Sequence, residues 1–221
     1  MSGTGAAASK RFILGAGAAC GAILLGIAAW AGQPVEFRPP PDGLAITYDD
    51  GRTYTFGPTV DRLTEYTVAG PDLPKRFANM PRDVFFFAGE QTEHYRYGYD
   101  YTFERGQSIW PLDDKKVLRA TYTYSIDGAP AGTGTLTVAA GSPETTVTPA
   151  GAFAVRRVMA EYESRSWRGE RVNGTAVCLY APAVGYCIGL GAMEFGKPLR
   201  IALATKIVAP SGRGGGDPKR R

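Results

Sequence analysis

Residues 94–104 read HYRYGYDYTFE, and in this stretch Tyr95, Tyr97, Tyr99, Tyr101 and Phe103 alternate with His94, Arg96, Gly98, Asp100, Thr102 and Glu104. A strand turns successive side chains to opposite faces, so the alternation puts five rings on one face of a β-strand and the polar residues on the other. The same habit extends outward in both directions. Residues 44–56, LAITYDDGRTYTF, read as two short strands joined by Asp49-Asp50-Gly51, a turn in which glycine supplies positive φ. Further strands are predicted at 63–68, 117–126, 132–139, 145–148, 153–167, 175–180, 186–190 and 199–208. Asp127-Gly128, Gly141-Ser142, Pro149-Ala150-Gly151, Asn173-Gly174 and residues 182–185 supply the turns between them. Short strands at this spacing predict an all-β fold, an antiparallel curved sheet that is half-barrel or β-roll-like. A change of phase over residues 154–158 predicts a β-bulge there. Between 57 and 82 the prolines Pro58, Pro71, Pro74 and Pro81 break the pattern, so that region is expected to be loop apart from 63–68. Residues 84–88, VFFFA, compose a fully buried run.

Residues 177–189, VCLYAPAVGYCIG, read as a hairpin with a cysteine in each arm. Cys178 and Cys187 lie equally far from Pro182-Ala183, so arms paired about that centre bring the sulfurs face to face and predict a disulfide. The loop-entropy account gives such a bond roughly 2 to 3 kcal/mol of stabilisation. The other reading is a pair of reduced, buried thiols. An even pair in one hairpin suits an oxidising compartment; the third cysteine, Cys20, lies in the leader.

The leader carries Lys10-Arg11 and then residues 12–31 without a charge. As an N-terminal hydrophobic helix of about 20 residues rising ~1.5 Å each, this run reaches ~30 Å, the thickness of a bilayer core. Its basic flank stays in the cytoplasm under the positive-inside bias, which exports the body. Ala29-Trp30-Ala31 has the form of a signal-peptidase site, so a cleaved signal peptide and a retained membrane anchor both stand. Gly17-Ala18-Ala19-Cys20 is close to a lipidation box but has glycine where leucine is expected. The organisation read from the chain is leader 1–31, proline-rich linker 32–43, β-rich domain 44–209 and basic, unfolded tail 210–221. The expected location is the periplasm, free or anchored in the inner membrane through the N-terminal segment.

The formal net charge is +4 and the isoelectric point is near 9.0. Removing the leader's +2 and the tail's +3 from this +4 leaves about −1 for residues 32–209, so the body has no surplus of positive charge. Nucleic acid is therefore not an expected partner. Catalytic chemistry is also sparse. His94 is the single histidine, beside Glu93 but outside any His-Glu-x-x-His pattern, and no Gly-x-Ser-x-Gly elbow offers a serine. Glu161 and Glu163 share a strand face and admit a carboxylate pair, although solvated edge charges explain them far better. Asp49 and Asp50 lack further ligands at calcium-loop spacing. The expectation is a non-enzyme without metal or cofactor. The ring stripe Tyr95, Tyr97, Tyr99, Tyr101 and Phe103 admits three roles: sheet core, sugar-stacking platform, or lining for an apolar ligand.

Three further segments carry a family likeness: Trp110-Pro111-Leu112 before a Tyr/Thr-rich strand, residues 147–153 (VTPAGAF) feeding a long strand, and residues 179–186 (LYAPAVGY) at the hairpin. Over residues 110–189 the chain resembles the β-rich domains of bacterial periplasmic and lipoprotein-like envelope proteins whose chemistry is unassigned. The resemblance implies a binding or structural module that meets another envelope component. A carrier of a lipid or other apolar ligand is the alternative. The cysteine pair departs from the family pattern.

Overall fold

The structure, a computed structural model, describes residues 33–210 apart from 72, 84–88, 105–106, 115 and 195–198. Expectations for the leader, Cys20, residues 84–88 and the tail beyond 210 lie outside the described residues. Among those described are β1 (Ala45–Tyr48), β2 (Thr53–Val60), β3 (Leu63–Gly70), β4 (Leu73–Pro81), β5 (Gly89–Gln91) and β6 (Arg96–Phe103). They continue with β7 (Val117–Ile126), β8 (Ala129–Thr148), β9 (Gly151–Ser166), β10 (Arg171–Ala181), β11 (Tyr186–Glu194) and β12 (Arg200–Val208).

Each strand pairs antiparallel with its neighbours in sequence, and β1 pairs with β12, so the sheet closes into an up-and-down barrel. The closing seam sets Ala45 against Val208, Ile46 against Ile207 and Tyr48 against Ala204. The curved sheet expected from the alternation is thus carried to full closure, which leaves no unpaired edge.

Alternation along β7 shows how sequence becomes wall. Leu118, Ala120 and Tyr122 are buried, while Val117, Arg119, Thr121 and Thr123 are exposed. Glu161, Glu163 and Arg165 are likewise exposed on β9, beside buried Val158 and Ala160. Apolar-in and charged-out is the reverse of a membrane-spanning barrel, whose outer band is apolar. No helix among the described residues is long and apolar enough to cross a membrane.

Three local expectations are corrected. The proline-rich stretch after Gly57 holds β4 and the end of β2 as well as β3, because each proline sits where a ladder tolerates it. Pro58 lies at the register shift between Phe56 and Thr59, Pro71 in a turn, Pro74 near the start of β4 and Pro81 at its end. Asn173-Gly174 is not a turn: Asn173 pairs with Glu163 and Gly174 with Tyr162, and the chain reverses instead at residues 167–170, where Gly169 has φ +85°. Gly141-Ser142 likewise lies inside β8, and the phase change read at 154–158 arises there. Three steps from Ala140 to Pro143 face two steps from Val158 to Arg156, so the extra residue belongs to β8.

The proline-rich segment before β1 packs against one end of the barrel. Val35 and Leu112 exchange both backbone hydrogen bonds, at 2.9 and 2.8 Å. The Phe37 ring meets Trp110 edge-on at 5.0 Å, and Trp110 meets Tyr180 at 5.2 Å. The Tyr180 hydroxyl donates to the Arg38 carbonyl at 3.1 Å. Arg156, 3 % exposed, donates from its two terminal nitrogens to the carbonyls of Gln33 and Gly141. Gly185 has φ +78° and lies against this strap; a Cβ there would sit 3.0 Å from the Pro39 carbonyl oxygen.

Candidate functional site

At the other end of the strands lies a cavity of about 460 Å³. Its interior wall includes Tyr54 of β2, Tyr66 of β3, Tyr162 of β9 and Tyr186 of β11, with Ala176 and Ala202 as small residues between the rings. Asp50 and Arg52 from the β1–β2 turn and Arg200 at the start of β12 supply its charged rim. The strands bring these groups together by register. Phe56 pairs with Tyr66 and Ile46 with Tyr54, which aligns the rings of β2 and β3 on the inner face. Leu190 faces Ala202 on β12, where small side chains leave the space open.

The rings make one cluster. Tyr54 stacks on Tyr66 at 5.6 Å and lies 6.2 Å from Tyr186, and Phe56 meets Tyr186 edge-on at 4.5 Å. Beneath them the Tyr48 hydroxyl donates to the Cys187 carbonyl at 2.6 Å. Burial raises the Tyr54, Tyr66 and Tyr186 hydroxyls above the ordinary phenol value, and the neighbouring tyrosines push Tyr66 and Tyr186 further. At neutral pH all three are protonated, so they offer O–H donors and not bases.

At the rim, Arg52 holds both oxygens of Asp50. Its side chain reaches Oδ2 at 2.6 Å and its backbone N–H reaches Oδ1 at 3.0 Å, while Nη1 extends to the Tyr54 hydroxyl at 3.5 Å. Burial alone would raise the Asp50 carboxyl, but the hydrogen bonds and charge of Arg52, together with the charge of Arg200, hold it below the usual value. Asp49 is also structural: its carboxylate accepts from the Leu203 N–H at 3.2 Å. Among the described residues no group of three or more His, Cys, Asp or Glu is placed to hold a metal ion.

The β6 stripe faces the same interior but packs into its own aromatic layer. Tyr99 and Tyr101 stack at 6.1 Å, Tyr101 and Phe103 at 6.0 Å, and Tyr122 of β7 closes on Tyr99 at 5.8 Å and Tyr101 at 5.7 Å. Tyr122 fits because β8 presents Gly134 opposite it; a Cβ at Gly134 would overlap the Tyr122 ring. Tyr95 stands just before the strand, edge-on to Tyr97 at 4.8 Å. Burial pushes the Tyr99 hydroxyl up to about 12, and Tyr122, Tyr97 and Glu90 add to the shift. Tyr95, Tyr101 and Phe103 do not line this cavity, whereas Tyr97 and Tyr99 border a separate groove among β2–β6.

The other candidates are dispersed. His94 is exposed; its ring meets the neighbouring Glu93 at 3.1 Å and its backbone N–H donates to the Thr92 hydroxyl at 3.1 Å. Glu161 and Glu163 lie on the outer face, away from the cavity. Cys178 and Cys187 form the expected disulfide with Cα atoms 5.3 Å apart, though not by the symmetry read from the sequence. The hairpin turns about residues 183–184, and a bulge follows. Cys178 therefore pairs with Leu190 and Cys187 with Tyr180. The cavity residues Tyr66, Tyr162, Tyr186 and Arg200 carried no local signal. Tyr54 did, through its alternation with Phe56 in TYTF.

No protein-family model matches the chain, and no curated protein does. Three solved structures are similar to it. One is a candidate exported protein with a YmcC-like fold from Bacteroides fragilis, at 16% identity and TM-score 0.46, covering 79% of this chain and 100% of that one. Another is a candidate lipoprotein from Parabacteroides distasonis, at 15% identity and TM-score 0.48, covering 80% and 100%. The third is the hypothetical lipoprotein YmcC from Escherichia coli, at 11% identity and TM-score 0.45, covering 88% and 100%. These likenesses carry no functional statement.

Proposed function

We propose that this chain is an exported domain of the bacterial cell envelope that works as a binding module for another envelope component. The observation that carries the reading is the Cys178–Cys187 disulfide, in which both residues are fully buried within the barrel. Such a bond forms and persists in oxidising compartments. The basic pair Lys10-Arg11 before the uncharged residues 12–31 argues for export independently. Binding is favoured over catalysis because the cavity supplies protonated tyrosine hydroxyls, ring faces and guanidinium groups, which are the means of recognition.

The cavity also admits a second reading, a carrier of a lipid or other apolar ligand. Its tyrosine hydroxyls and charged rim weigh against that reading, since an acyl chain offers them no hydrogen bond. Export is tested by fusing a β-lactamase to the C-terminus of the full chain. Resistance of the cells to ampicillin is the expected result. Sensitivity, with the fusion present and active in lysates, overturns the export.

A further inference from the structure

We propose that the tyrosine cavity takes a ring-sized organic anion, its charged group held at the rim and its body between the rings. The inference rests on the binding-module reading and names the ligand of that same site. Its volume of about 460 Å³ lies within the range of small-molecule pockets.

Tyr186 is 2 % exposed and lines the cavity, and among the described residues its hydroxyl has no hydrogen-bond partner. Tyr66, half-buried, also lines the cavity, and among the described residues its hydroxyl likewise has no hydrogen-bond partner. Both hydroxyls keep access to the cavity, so they offer two donors to a ligand's oxygens there. An acyl chain offers none. A ring bearing hydroxyl or carbonyl oxygens accepts from both, and the Tyr54–Tyr66 pair supplies flat faces beside it.

The rim fixes the sign of the ligand's charge. Among the described side chains lining the cavity, Arg52 and Arg200 are cationic and Asp50 is anionic. Asp50 is already held by Arg52, whereas Arg200 has no ion-pair partner among the described residues. Among the described groups the Arg200 guanidinium is left for the ligand, and guanidinium matches the two oxygens of a carboxylate or phosphate.

The test is calorimetric titration of the full purified chain with glucuronate, glucose 6-phosphate, methyl glucoside and palmitate. Glucuronate carries the anion as carboxylate and glucose 6-phosphate as phosphate. Binding of either or both supports the proposal and identifies the source. Methyl glucoside is expected to bind at least ~10-fold more weakly, the loss of a charge-assisted hydrogen bond. Arg200→Gln, an exposed site, should weaken the anion ~10-fold or more, and Tyr186→Phe should weaken it several-fold. Both variants should keep the melting temperature of the parent. The proposal is overturned if neither anion binds, if methyl glucoside binds equally well, if palmitate alone binds, or if Arg200→Gln leaves the anion's affinity unchanged. None of these outcomes depends on the compartment, so failure here is separable from failure of the export test.

Discussion

Cys178 and Cys187 are bonded across a bulged ladder in which neither is the other's partner: Cys178 faces Leu190, and Cys187 faces Tyr180. The bulge between Leu179 and Tyr180 thus belongs to the covalent structure of the hairpin. Opening the bond by Cys178→Ala/Cys187→Ala should destabilise the barrel by roughly 2 to 3 kcal/mol, the chain-entropy value for so short a loop. Urea denaturation with and without reductant measures it. An unchanged midpoint would show that the staple contributes nothing.

The strap before β1 should matter as much as a strand. Val35 and Pro40 are buried, Phe37 packs on Trp110, and Arg156 is anchored by the Gln33 carbonyl. Removing residues 1–43 exposes that apolar surface and strips a buried guanidinium of one acceptor. Burial of Val35 alone implies a loss of about 1.5 to 3 kcal/mol, and half-buried Phe37 adds to it. A shortened chain as stable in urea as the full one would mean that the segment is only a connector.

Gly134 should resist even a methyl group. Its Cβ would overlap the Tyr122 ring and the backbone of β9, whereas a Cβ on Gly141 meets only ordinary contacts with Arg157. Gly134→Ala is therefore expected to cost about 1 to 3 kcal/mol, the range for overpacking, and Gly141→Ala well under that. Thermal unfolding of the two variants compares them directly, and equal melting temperatures would contradict the packing described for the β7–β8 pair.

Much of the wall was legible because a strand with one apolar face leaves a period of two. β7 spans the residues that the alternation predicted, and the five-ring stripe lies on one face of β6 and just before it. Closure was not legible. The pairing of Ala45 with Val208 joins residues from opposite ends of the chain, and no local pattern encodes that register. The cavity stayed hidden for the same reason. Tyr66, Tyr162 and Tyr186 each look like an ordinary strand residue until β3, β9 and β11 converge. Prolines misled in the opposite way, since Pro58, Pro74 and Pro81 punctuate strands at positions where a missing N–H costs little.

The buried hydroxyls give the barrel an alkaline limit. Burial raises Tyr48, Tyr66 and Tyr186 above the unfolded value of about 10, so the folded state keeps protons that the unfolded chain releases. This contribution is fully present below about pH 10 and is lost as pH rises from there toward the folded values. Phenolate absorbance should therefore rise in step with loss of β-structure for these residues. A single transition near the free-phenol value with the barrel intact would show that the rings are not desolvated.

Export into an oxidising compartment, with the hairpin stapled there, is most directly tested by the thiol state of the protein in the cell. Cells are quenched with acid, the protein is denatured without reductant, and Cys178 and Cys187 are alkylated and read by peptide mass. The account predicts that neither carries the alkyl group until reductant is added, the two peptides remaining linked. Full alkylation of both cysteines in the unreduced sample would contradict it.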